Sequence, residues 1–362
     1  MQVFWHDECQ THDTGRGLFD TAPSPLLARQ TVHPENAQRM ANVRRALEKG
    51  PVAEHLTWRK GRMVTDDEIL TLHTPEHLEN LKMLAREGGR RLGGHTVFAE
   101  GSLKPIRAAA GTALAAIDAI IDGKTKMAYA LVRPPGHHAQ LSRIDGYCFL
   151  NNTALAAERA IRRGAAKRIA IIDWDVHHGN GTQDCFYARD DVLTISLHMN
   201  HGSWGKFHPQ TGYTDERGEG RGLGFNVNIA MPFGLGDVAY IEAFEKIVIP
   251  RVDAFKPDLI VIANGQDACQ FDPNGRQCVT TDGFYRMGVM ARDLALRHAG
   301  GRLLSVQEGG YSEAYIPLCA HASVEGLLGL PQQTPDPLGR YPEDVEDSRA
   351  VIAAIAEDLG HA

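Results

Sequence analysis

Nowhere in the sequence do apolar residues run unbroken for the roughly 20 positions that a membrane-crossing helix needs. The first residues, Met1-Gln2-Val3-Phe4-Trp5-His6, lack the basic segment and apolar run of a secretory signal, so a cytoplasmic protein that binds no membrane is expected. Cysteine is scarce. Six residues (Cys9, Cys148, Cys185, Cys269, Cys278 and Cys319) are scattered over 362 positions without a Cys-x-x-Cys pair. That spacing excludes a disulfide framework and reads as reduced thiols. Positive charge is also in deficit, with 38 Lys and Arg against 45 Asp and Glu, a formal charge of −7. The balance argues against a nucleic-acid partner, which normally meets a basic patch, and is compatible with a cationic substrate. Internal repeats, low-complexity tracts and Ser/Gly linkers are all missing, which leaves one domain.

What is present alternates. Short apolar, β-branched runs at Met127–Val132, Arg168–Ile172, Val192–Leu197, Phe225–Ile229, Asp258–Ala263 and Arg302–Val306 predict strands. Several are apolar throughout, as strands buried on both faces of a parallel sheet must be. Helical patterns fill the gaps at Pro105–Asp122, Asn152–Arg163, Val238–Phe255 and Asp282–His298. The expectation is an α/β fold, a doubly wound and mainly parallel sheet flanked by helices. An irregular stretch, Asp7–Pro34, precedes it and a helical tail of about residues 342–362 follows. Ligands of such sheets sit in the loops after the strands. Here the polar clusters Arg133–His138, Asp173–Asn180, His198–Tyr213, Gly265–Asp272 and Glu308–Tyr311 each follow a predicted strand.

The segment Asp173-Trp174-Asp175-Val176-His177-His178-Gly179-Asn180 carries the strongest signal. At a strand end, side chains two apart point the same way, so Asp173, Asp175 and His177 share a face while Trp174 and Val176 pack on the other. One carboxylate and one imidazole are thereby offered to one metal ion, although a lone Asp-x-His is common in ordinary polar turns. Arg133-Pro134-Pro135-Gly136-His137-His138 puts two histidines on a stiff turn. Gly265-Gln266-Asp267 supplies a third ligand, and Glu308-Gly309-Gly310-Tyr311 a phenol on a tight glycine turn. Two carboxylates and an imidazole suit a catalytic zinc with one position left open, and they would also accept iron(II) or manganese.

These segments, in this order, resemble the histone deacetylase family within the wider arginase-like fold group. The resemblance spans about His33 to Tyr315 and is closest to the class II branch with its bacterial amidohydrolases and acetylpolyamine amidohydrolases, whose pattern Gly146-Tyr147-Cys148-Phe149-Leu150-Asn151-Asn152 also matches. It implies zinc on Asp175, His177 and Asp267, with His138 as general base, His137 as an electrostatic partner oriented by Asp173, and Tyr311 as oxyanion donor. It implies a structural potassium held by Asp173, Asp175, His177, Ser196 and Leu197, largely through main-chain oxygens. It also implies an acyl channel walled by Tyr147 and Phe207 at Gly146, and a substrate that is an acetyl-lysine, an acetylpolyamine or another small-molecule amide. Relatives often assemble, which makes Gly15–Thr31 a candidate homo-oligomer contact. Three positions depart from the familiar pattern. Asn180 stands beside the second histidine, Gln266 precedes Asp267, and the stretch Met199–Lys206, with His201 and Trp204, is long. A catalytically inactive acyl-binding homologue is the alternative from another class, and it is disfavoured because each catalytic position holds a competent residue.

Overall fold

The computed structural model describes residues 1–93, 95–200 and 211–360. In chain order the strands among them are β1 (Gln2–Trp5), β2 (Arg16–Gly17), β3 (Thr31–Val32), β4 (Thr57–Lys60), β5 (Arg90–Leu92), β6 (Thr96–Phe98), β7 (Met127–Ala130), β8 (Ile169–Asp173), β9 (Val192–Met199), β10 (Asn226–Met231), β11 (Leu259–Asn264) and β12 (Leu303–Gln307). Eight of them form one parallel sheet in the order β10-β9-β8-β11-β12-β7-β1-β4. β2–β3 and β5–β6 are small antiparallel pairs outside it.

All six expected strands are present, within a residue or two at most ends. Their apolar composition follows from burial on both faces. Along β8, Ala170 and Ile172 enter one core layer while Ile169 and Ile171 enter the other. Two strands of the sheet, β1 and β4, were not among the expected runs. β4 is the edge strand, and its residues Thr57-Trp58-Arg59-Lys60 are exposed or half-buried, so it never needed an apolar run.

Three expected helices form, as Leu103–Ile121, Asn152–Arg162 and Thr281–His298. The fourth, Val238–Phe255, is not one continuous α-helix. It divides into Asp237–Ala243, a π-helical turn Phe244–Val248, and Ile249–Phe255 with a proline at its start. Pro250 has no N–H for the preceding turn, and the wider π-turn absorbs the mismatch. Near the C-terminus the helix Val345–Asp358 packs beside Asp237–Ala243. Among the described residues no helix is long and apolar enough to cross a membrane.

The strand order places the site. From β8 the chain moves outward through β9 and β10, then returns to β11 on the other side of β8 and continues to β12. The direction of winding thus reverses between β8 and β11, where a crevice opens beyond their carboxyl ends.

Candidate functional site

Acids close or follow both strands at that reversal. Asp173 closes β8 and Asp175 follows it, with Trp174 and Val176 buried in the core on the opposite side. Asp267 lies in the turn after β11. His177 Nδ1 sits 3.1 Å from Asp175 Oδ1 and 3.0 Å from Asp267 Oδ2. One donor atom from each of the three lies within 4.8 Å of the others, and all three are buried. Backbone amides hold the carboxylates in place, since Val176 N–H donates to Asp267 Oδ1 (2.8 Å) and Gly309 N–H to Asp175 Oδ2 (2.7 Å). Gly309 passes so close that an added Cβ would overlap carboxylate oxygens of both Asp267 and Asp175.

The electrostatics fit a cation at this point. Burial raises the Asp267 pKa, and Asp175 beside it raises it further, to about 7. Burial would raise Asp175 too, but His137 and His177 outweigh it and hold that carboxyl below its ordinary range. His177 responds oppositely: burial opposes its charge, yet Asp267 and Asp175 lift its pKa to about 10. Two buried carboxylates thus converge on one imidazole that takes a proton as their counter-charge. A divalent ion supplies such a counter-charge better, and two oxygens with one nitrogen suit zinc or iron(II). A second cluster, His137, Cys148 and Glu308, also brings donors together. Its atoms are committed elsewhere, Glu308 Oε2 to Gly136 N–H (2.6 Å) and His137 N–H (3.1 Å), Glu308 Oε1 to Thr153 Oγ1 (2.9 Å), and His137 Nδ1 to Asp173 Oδ2 (2.9 Å).

The two histidines differ in charge. Burial opposes protonation of His137, but Asp175 and Asp173 outweigh it and raise its pKa. His138 is pushed down by burial and by the charges of His137 and His177. Its Nδ1 lies 2.6 Å from Asn180 Oδ1. Tyr311 is buried against Arg39, whose guanidinium carbon is 4.9 Å from the ring centroid, and its ring meets Tyr147 edge to face at 5.9 Å.

His138, Gly146, Tyr147, His177, Asn180 and Tyr311 share one cleft of about 240 Å³. Gly146, at φ +49°, presses on His138 so closely that a Cβ there would fall on the imidazole. Ser196 lies beside Asp173 in the β8–β9 register, and Leu197 is next along β9. Phe207 and most of the long segment, residues 201–206, lie outside the described residues.

Several residues of this site carried no separate signal in the sequence. Arg39 donates from Nε to Gly310 O (2.6 Å) and from Nη2 to Glu308 O (2.6 Å), fixing the turn that carries Tyr311. Asp272 accepts from Tyr311 N–H (2.6 Å) and Ser312 N–H (3.2 Å) on the other side. Asp20, from the N-terminal loop, accepts the Tyr147 hydroxyl (2.8 Å) and contacts His95 Nδ1 (3.0 Å). Gln266 enters a buried amide network, donating to Asn264 Oδ1 (2.8 Å) and accepting from Gln307 Nε2 (2.8 Å). An aromatic residue there would remove one partner from each of these amides, which also bond to Trp174 and Ser305 (Asn264) and to Tyr129 and Gly309 (Gln307).

An eight-stranded parallel sheet, with an Asp, His, Asp cluster and paired histidines at its switch point, has the architecture of the arginase-deacetylase fold. The histone deacetylase domain model matches residues 33–327. Histone deacetylase 8 of Arabidopsis thaliana is 47% identical over 98% of this chain and 95% of its own length. A histone deacetylase-like amidohydrolase of Pseudomonas aeruginosa is 42% identical over 94% of this chain and 90% of its own. The crystal structure of the HDA15 HD domain superposes with a TM-score of 0.83 at 32% identity, covering 99% of this chain and 96% of that one. The chain belongs to the histone deacetylase family, whose members are deacetylase hydrolases.

Proposed function

We propose that the protein is a zinc-dependent amide hydrolase that removes acetyl groups from amines such as acetyl-lysine or acetylpolyamines. The observation that carries this reading is the convergence of Asp175, His177 and Asp267 within 4.8 Å, in a cleft that also presents His138 and Tyr311. Asp175, His177 and Asp267 hold the ion, with iron(II) as the other occupant their donor atoms suit. Zinc, when bound, polarises the amide carbonyl and lowers the pKa of water at the site.

The protein's own groups do the rest. His138, held neutral by burial and by neighbouring charge, accepts the proton of the attacking water and returns it to the departing amine. His137, charged and bound to Asp173, supplies fixed positive charge beside it. The Tyr311 hydroxyl donates to the carbonyl oxygen as that oxygen gains negative charge. Tyr147 walls the path of the acyl-bearing chain at Gly146; the second wall that the family resemblance implies, Phe207, lies outside the described residues. A structural potassium would be held by Asp173, Asp175, His177, Ser196 and Leu197, a reading supported by the pairing of Asp173 with Ser196 between β8 and β9.

Acetyl-lysine peptides, acetylpolyamines and simple anilides compared by kcat/KM test the proposal. Release of acetate from at least one class is expected, and no turnover of any contradicts it.

A further inference from the structure

The loop that walls the cleft also reaches the proposed base. Asn180 Nδ2 donates to Asp145 Oδ2 at 3.0 Å, while Asn180 Oδ1 faces His138 Nδ1 at 2.6 Å. Asp145 is itself fixed, because its backbone exchanges hydrogen bonds with Cys148 (3.2 and 2.7 Å) across the turn that contains Gly146. The roles along this chain follow from chemistry. A carboxylate only accepts, so the amide must turn its NH₂ towards Asp145 and its oxygen towards His138. An oxygen facing Nδ1 requires the proton on Nδ1, which leaves the lone pair on Nε2.

We infer that Asp145 is a positioning residue of the catalytic machinery, which locks the Asn180 amide and through it the tautomer of His138. The inference rests on the reading of His138 as the base. It also explains the asparagine at 180. With Asp145 as the outer partner, a carboxylate at 180 would set two acceptors of like charge 3 Å apart, whereas an amide satisfies both neighbours. Asp145 touches no reacting atom in this scheme.

The prediction is an exchange. In the zinc-loaded enzyme, Asn180→Asp should lower both the urea midpoint and kcat. Adding Asp145→Asn should restore both, because an amide at 145 can donate to a carboxylate at 180. Asp145→Asn alone keeps an acceptor for Asn180 and should retain most of the activity. Asp145→Leu removes it and should lower kcat about 10–100-fold, the usual cost of losing an outer partner, with KM within about twofold. The measurements are kcat and KM on an acetyl-lysine peptide, urea unfolding, and ¹⁵N NMR of the His138 ring, assigned by its loss in His138→Gln.

A double variant no better than Asn180→Asp overturns the inference. So does recovery of stability without recovery of kcat, which would make the contact structural only. If the wild type hydrolyses no acetylated amine, the functional reading fails, and the ring tautomer decides the inference. Nδ1-protonated His138 that loses this preference in Asp145→Leu supports the role, and an unchanged tautomer refutes it.

Discussion

A phenol donates a hydrogen bond where phenylalanine, of the same outline, cannot, and Tyr311 is held so that this difference should decide its role. Arg39 and Asp272 fix its backbone from two sides, so Tyr311→Phe should leave the fold and the metal content unchanged. The expected loss is roughly 10²–10³ in kcat, typical of one oxyanion donor. Steady-state kinetics with metal analysis checks it, and a near wild-type rate would reduce Tyr311 to packing. Gly309 is constrained by space. Gly309→Ala drives a methyl into the carboxylates of Asp267 and Asp175, and should lower zinc content and stability together, the latter by about 1–3 kcal/mol. Zinc analysis and urea unfolding read the two effects, and full zinc occupancy would contradict the packing described. At this scale the residues bearing chemical groups were legible, because side chains two apart at a strand end share a face and the four segments that carry them stand in the order of a known family. Arg39, Asp272 and Asp20 were not. Their partners lie far away in sequence, and an arginine on a helix reads as solvated until the fold buries it.

The site is assembled from loops, and one buried carboxyl joins two of them. Glu308 follows β12 yet accepts N–H groups from Gly136 and His137, which follow β7, and Thr153 donates to its other oxygen. Burial raises its pKa to about 7, so a neutral side chain of the same shape is tolerable there. Glu308→Gln should therefore cost little. Glu308→Leu should strand two buried N–H groups at roughly 1–3 kcal/mol each, and should slow catalysis by loosening the turn that carries His137 and His138. Urea unfolding of the pair gives the comparison, and equal losses would contradict this account. The strands of the sheet's centre were legible because burial on both faces demands apolar runs. The edge strand β4 was not, since exposure relaxes that demand. The division of Val238–Phe255 was signalled by Pro250, but that signal was overridden by the apolar period, which continues past it.

Across the whole molecule, one reversal of strand order brings the ends of β8 and β11 together, and the three proposed zinc ligands belong to the segments that follow them. The pattern of alternating runs predicted a sheet wound in this way, but not the order of its strands, which depends on pairings between runs far apart in sequence, such as Leu303 with Met127. The family membership sets the reaction class. The central claim is that Asp175, His177 and Asp267 hold one catalytic ion. Its most direct test is to remove metal with a chelator, confirm the loss by elemental analysis, and titrate zinc back while following acetate release from an acetylated amine. Activity should vanish with the metal and return in proportion to zinc, reaching its plateau at one ion per chain, and Asp267→Ala should bind zinc more weakly and recover far less. Full turnover by the metal-free protein, or a plateau reached without ion binding at these three residues, would contradict the account.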